Sequence, residues 1–243
     1  MTFSTEKEQN NLAPQPFRIT RPSYALLLVL LVIWPLGTGL LQSQNIDHLQ
    51  KLMTSPVLEV YLPTMIIQLL VFTVVLFVVR HESAGFGSMG YDRFSLDKIM
   101  TGLAFFVGAQ ILLIALSLGL VAIGFEDFRN PAFLLPESTS EKMAWAVLAF
   151  IVAFAEETAF RGYALTRLDK LFGNRTVAIL VASISFSLGH IYQGFGGVIV
   201  IFVYSLMFSI LFFKTGSIWP CIVAHFLQDI TPILALEALK DFQ

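Results

Sequence analysis

The sequence predicts an all-α membrane protein, a polytopic bundle of about seven transmembrane helices with a cytoplasmic N-terminus. Three observations carry this reading. Of the 243 residues, 56% are hydrophobic and 13% are charged, against about 25% charged in an ordinary soluble domain. The apolar residues fall in runs close to the roughly 20 residues needed to cross a bilayer. The cations divide unevenly between the two sets of connecting segments, which orients the bundle. With a mean hydropathy of +0.75, the chain has more apolar surface than a soluble fold of this size can hide, so lipid must cover it.

The net charge of −2 argues against nucleic-acid binding. The single cysteine, Cys221, lies in an apolar run. It excludes an internal disulfide and reads as a plain buried small side chain.

The segment Met1–Ser23 is polar and reads as a cytoplasmic tail. The run Tyr24–Leu41 is too long for a signal-peptide core and has no small-residue cleavage site behind it, so it is retained as the first span. Six further runs follow: Val57–Val79, Ile99–Ile123, Met143–Leu165, Val177–Tyr192, Val198–Phe213 and Ser217–Leu236. An eighth span or a re-entrant piece would change the topology. Gly194-Phe195-Gly196-Gly197 suggests a tight hairpin between the fifth and sixth runs. Pro35, Pro63 and Pro220 mark kinks or helix starts.

With the N-terminus inside, eleven cations fall on inside segments: Lys7, Arg18, Arg21, Arg80, Arg93, Lys98, Arg161, Arg167, Lys170, Arg175 and Lys214. Four fall outside: Lys51, Arg129, Lys142 and Lys240. The mostly acidic loop Glu126–Glu141 also falls outside. In Thr166–Thr176, apolar residues at helical spacing alternate with cations. That segment reads either as an interfacial amphipathic helix or as a basic cytoplasmic loop. There is no inverted repeat of the kind a transporter would show.

The last four spans carry ionisable residues that the first three nearly lack, Glu59 excepted. The fourth holds Glu156, Glu157 and Arg161, the fifth ends at His190, and the seventh holds His225 and Asp229. A charge at mid-membrane costs about 2.5–3.5 kcal/mol on insertion scales, so these groups must face one another or a water-filled cavity. Glu157 and Arg161 are four apart with the acid first, the favourable order for an ion pair. Glu156 lies about 100° round the helix and remains available. Two imidazoles and a free carboxylate are the kinds of group that hydrolysis needs, a base for water and donors for an oxyanion. His48 and His81, in loop positions, read as ordinary surface residues.

These residues form three motifs in order. Glu156-Glu157 with Arg161 resembles the EExxxR motif of the CPBP family, the CAAX proteases and bacteriocin-processing proteins also called the Abi family. Phe186 to His190 resembles its FxxxH motif. His225 to Asp229 resembles its HxxxN/D motif, with Asp where many members carry Asn. The resemblance spans about Met143–Leu236 and divides the chain into a tail (1–23), three N-terminal helices (24–142), a catalytic core (143–236) and a short C-terminal tail (237–243).

The resemblance implies an intramembrane protease akin to type II CAAX prenyl proteases. Glu156 and His190 would activate water, His225 and Asp229 would support the oxyanion, and Glu157, Arg161 and Phe186 would organise the site. An ionised Asp cannot donate a hydrogen bond as Asn does, so Asp229 is expected either to hold a proton or to orient His225. Glu156, His190 and His225 also make a two-His, one-carboxylate set suited to zinc. The metal-free mechanism, with no cofactor required, is the expectation and zinc is its alternative. The implied partners are membrane lipid and a peptide or protein substrate, with or without a lipidated C-terminus, and the implied location is a prokaryotic plasma membrane. A non-catalytic immunity or scaffold protein of the same fold, and a proton-coupled transporter, are the competing readings.

The reading also sets a geometric test. Counted from the ends of the predicted spans at 1.5 Å per residue, His190 lies deeper than Glu156 and His225. The hypothesis requires all three at one depth, in a cavity expected to open toward the cytoplasm.

Overall fold

The computed structural model describes residues 17–37, 53–125, 127–129 and 132–240. The tail up to residue 16, the end of the first predicted span, His48, Lys51 and Glu126 lie outside the described residues. Among the described residues there are seven principal helices, here α1 (Arg21–Gly37), α2 (Val57–His81), α3 (Leu96–Ala122), α4 (Thr139–Phe172), α5 (Arg175–Leu188), α6 (Gly194–Thr215) and α7 (Trp219–Lys240). Each predicted span falls on one of them. Four helical segments are long and apolar enough to cross a membrane: α2, α3, α4 and Ile191–Thr215, which is α6 with the turn before it. Their outward faces carry exposed Leu, Ile, Val and Phe, as lipid contact requires.

Local sequence explains the boundaries. Ser138 and Glu141 form a capping box that starts α4: Ser138 Oγ accepts from the Glu141 amide, and the Glu141 carboxylate accepts from the Ser138 amide. The helix therefore begins four residues before the predicted Met143. Gly173, at φ +58°, ends α4, and Asn174 caps α5 by accepting from the Val177 amide. Pro220 occupies the first turn of α7, where its missing N–H costs nothing. Glu59 stays at the mouth of α2, accepting from the Thr54 and Ser55 amides and the Thr54 hydroxyl.

Two sequence readings are corrected. Gly194–Gly197 are not the turn between α5 and α6; they form the first turn of α6, and Gly189–Gln193 make the connection. Glycine is required there because a Cβ at Gly196 would lie 2.7 Å from the Phe128 ring, and Gly194 has φ +81°. Of the two readings of Thr166–Thr176, a helix is found over Thr166–Phe172, but as the last two turns of α4 rather than a separate surface helix. Its Arg167 is fully buried rather than facing water.

Arg167 belongs to a lock at the basic end of the bundle. Its guanidinium donates to Glu82 Oε2 at 2.5 and 3.1 Å and to Ser88, and lies 4.1 Å from the Phe17 ring centre and 4.7 Å from that of Tyr163. Tyr163 donates to the other Glu82 oxygen. The end of α2, the short helix Phe86–Met89, α4 and Phe17, which precedes α1, are thereby tied together. Gly162 allows close approach nearby, since a Cβ there would lie 3.0 Å from both Ile218 Cδ1 and Met89 O. Cys221 is buried as expected, against Phe208.

Candidate active site

Glu156 and Glu157 sit on α4 just before a wider π-helical stretch, Thr158–Leu165. Such stretches often occur at functional sites. Glu157 faces the interior and is fully buried. Its Oε1 accepts from Arg161 Nη1 at 3.0 Å and from His225 Nδ1 at 2.8 Å. The expected Glu157–Arg161 staple is present, and the same oxygen also fixes an imidazole on α7. Arg161 is held further by Ser205 on α6 and stacks on Phe186 and Phe208. Counted above among the inside cations, Arg161 is in fact interior and only 2% exposed, and Arg167 is fully buried, so nine inside cations remain against four.

Hydrogen bonds fix the ring orientation of both histidines. A carbonyl or carboxylate can only accept, so Nδ1 of His190 donates to the Phe186 carbonyl at 2.9 Å and Nδ1 of His225 donates to Glu157. Each therefore turns Nε2 toward the site, the arrangement a general base or an oxyanion donor needs. His225 Nε2 lies 3.6 Å from Asp229 Oδ2 and 4.0 Å from Glu156 Oε2. Phe186 packs against both imidazoles, with ring centres 4.9 Å from His190 and 6.4 Å from His225.

Glu156, His190, His225 and Asp229 together line one cavity of about 410 Å³. The depth mismatch expected from the sequence disappears because α4 does not stop at Leu165. It continues to Phe172, so Glu156 stands about 24 Å from the α4–α5 turn and His190 about 22 Å. On the other side, Ile218 abuts Gly162, which puts Glu156 and His225 each about 9–10 Å beyond that contact.

The cavity also differs from expectation in where it leads. Its walls include Tyr61 and Thr64 at the start of α2, Phe133 and Leu134 before α4, Trp145 in the first turns of α4, and Tyr192 after α5. All lie at the end opposite the Arg80, Arg167 and Arg175 end. Under the positive-inside orientation it opens away from the cytoplasm, not toward it.

The sequence reading drew nothing from the N-terminal helices, yet α2 takes part. Gln68 Nε2 donates to Glu156 Oε1 at 2.7 Å. Tyr61 donates to the Leu134 carbonyl and packs edge-on against Trp145, whose Nε1 donates to the Asp229 carbonyl at 2.8 Å. The signal was available: Tyr61, Thr64 and Gln68 form a polar stripe at three-to-four spacing along an otherwise apolar helix.

Among the described residues no group of three or more His, Cys, Asp or Glu is placed to hold a metal ion. Nδ1 of His225 is taken by Glu157 and Nδ1 of His190 by a carbonyl, which leaves both Nε2 atoms on the cavity that Glu156 also lines.

The helices and their buried polar cavity define an integral membrane protein with a carboxylate–imidazole site inside its apolar bundle. Residues 138–231 match the family model for type II CAAX prenyl endopeptidases, Rce1-like. The match agrees with the CPBP resemblance of the three motifs, which lie within it. No curated protein and no solved structure matches the chain.

Proposed function

We propose that the protein is an intramembrane endopeptidase that hydrolyses a peptide bond with its own side chains. The observation that carries this reading is the position of His225 Nε2, between the carboxylates of Glu156 and Asp229 and on the wall of the cavity that also holds His190. Water held between Glu156 and His190 Nε2 attacks the scissile carbonyl, and Glu156 takes its proton. His225, protonated on both nitrogens and oriented by Glu157, donates from Nε2 to the developing oxyanion. Asp229 in its acid form supplies a second donor. Glu156 then returns its proton to the leaving amine. Arg161 offsets the charge of Glu157, so the site does not hold three unpaired acids in an apolar setting.

The seven helices are read as seven spans with the N-terminus inside, which places the cavity mouth at the non-cytoplasmic face. The substrate is a peptide or a membrane protein segment reaching the bundle from that face. A lipidated C-terminus is what the family resemblance adds.

The test is cleavage of candidate peptides, with and without a prenyl group, by purified protein. Glu156→Ala and His190→Ala should each abolish cleavage, and activity equal to the wild type in both would reject the mechanism. A chelator should leave the wild-type rate unchanged; loss of activity restored by zinc would replace the metal-free version.

A further inference from the structure

We propose that Gln68 is a positioning residue for Glu156, so that α2, outside the family-matched segment, completes the site. The inference rests on the peptidase reading above. The most apolar stretch of α2 has a mean hydropathy of 2.6. After its first turn, the residues it buries are Gln68, Val75, Val78 and Val79. A primary amide in such a helix is costly unless its polar atoms are partnered, and here the partner is the carboxylate expected to activate water.

The geometry explains what the amide does. The terminal torsion of a glutamate is broad and roughly two-fold, so the carboxylate turns easily unless it is held. Gln68 holds Oε1 at 2.7 Å. Oε2 is left on the side of His225 Nε2, 4.0 Å away. Tyr61 and Thr64, on the same stripe of α2, line the same cavity, so the contact belongs to a face of α2 turned to the site. Glu157, one residue on, needs no such help because Arg161 and His225 fix it. Each member of the Glu-Glu pair thus has its own orienting partners, from different helices.

The test uses the full chain in detergent or nanodiscs and a peptide that the wild type cleaves. Gln68→Met keeps the volume and removes the donor. Its kcat should fall about 10–100-fold, the scale of a misplaced catalytic group, with KM unchanged because substrate binding is untouched. Gln68→Glu also keeps the volume, but its carboxyl donates only while protonated. Its activity relative to the wild type at the same pH should therefore recover as the pH is lowered, which a packing defect would not produce. Thermal unfolding of both variants checks the fold.

Wild-type kcat in Gln68→Met, or a loss in Gln68→Glu that is the same at every pH, would overturn the positioning role. Glu156→Gln, assayed in parallel, keeps the two ideas apart. If it is inactive while Gln68→Met is unaffected, only the role of Gln68 falls. If it cleaves like the wild type, the peptidase reading through Glu156 falls as well.

Discussion

His225 Nδ1 lies 2.8 Å from Glu157 Oε1, the same oxygen that takes a hydrogen bond from Arg161 at 3.0 Å. The second glutamate of the pair therefore does more than neutralise an arginine on its own helix. It couples α4 to α7 and decides which nitrogen of His225 faces the cavity. Glu157→Ala should lower kcat roughly a hundredfold, as loss of orientation at a reacting centre does. Glu157→Gln, whose amide oxygen still accepts from Nδ1, should lose less. Steady-state kinetics of the two variants check this, and equal losses would mean that charge alone matters.

The geometry also bears on the aspartate that stands where many members of the resembled family carry asparagine. His225 already has its orienting partner in Glu157, and Asp229 Oδ2 lies 3.6 Å from the opposite nitrogen, beyond ordinary hydrogen-bond range. That favours the proposed donation to the oxyanion over a role in orienting His225. A carboxyl donates only while protonated, so the wild-type rate should fall as rising pH ionises Asp229. Asp229→Asn donates at every pH. It should retain activity and extend it to higher pH, whereas Asp229→Ala should lose activity throughout. A pH–rate profile of the three proteins decides, and an inactive Asp229→Asn would reject the oxyanion role.

At the other end of the bundle, Glu82 and Arg167 form a fully buried ion pair. Removing one partner from such a pair leaves an uncompensated charge and costs about 3–5 kcal/mol, while replacing both by apolar groups is often neutral. Glu82→Leu and Arg167→Met should therefore each lower the unfolding midpoint clearly, and the double variant should recover much of the loss. Arg175→Ala, which alters an exposed side chain, should cost little. Thermal unfolding in detergent measures all four. Additive losses in the double variant would show that the pair is not coupled.

What the sequence made legible follows from where the physical signal lies. Apolar runs located all seven helices because lipid contact demands hydrophobicity along a whole span. Glu156, Glu157, Arg161, His190, His225 and Asp229 stood out because charges are expensive there. Arg167 and Gln68 did not. Arg167 sits at a helix end where cations ordinarily face water, and its partner Glu82 is 85 residues earlier, in a turn with no periodicity to link them. Gln68 carries no charge, and a lone amide among aliphatics is a weak signal until its partner on another helix is known. The depth of His190 was misjudged for a related reason. Leu165 ends the apolar run, but the helix goes on for seven more residues because Arg167 is paired inside the protein.

The face on which the cavity opens is the last point that experiment can fix. The end of the bundle that carries Arg80, Arg167, Arg175 and Lys214 is richer in cations than the end that holds the cavity mouth, so the positive-inside rule places the mouth outside. The only native cysteine, Cys221, is fully buried, so it is a quiet background for thiol labelling. Glu137→Cys places a thiol at an exposed site near the mouth, and Lys214→Cys places one at an exposed site on the basic end. In intact cells a membrane-impermeant maleimide should label the first and spare the second, and permeabilisation should expose the second. The opposite pattern would turn the bundle over and bring the cavity to the cytoplasm, where a lipidated cytosolic C-terminus could reach it. Labelling of Glu137→Cys from outside would instead direct the search for substrates to peptides that have already crossed the membrane.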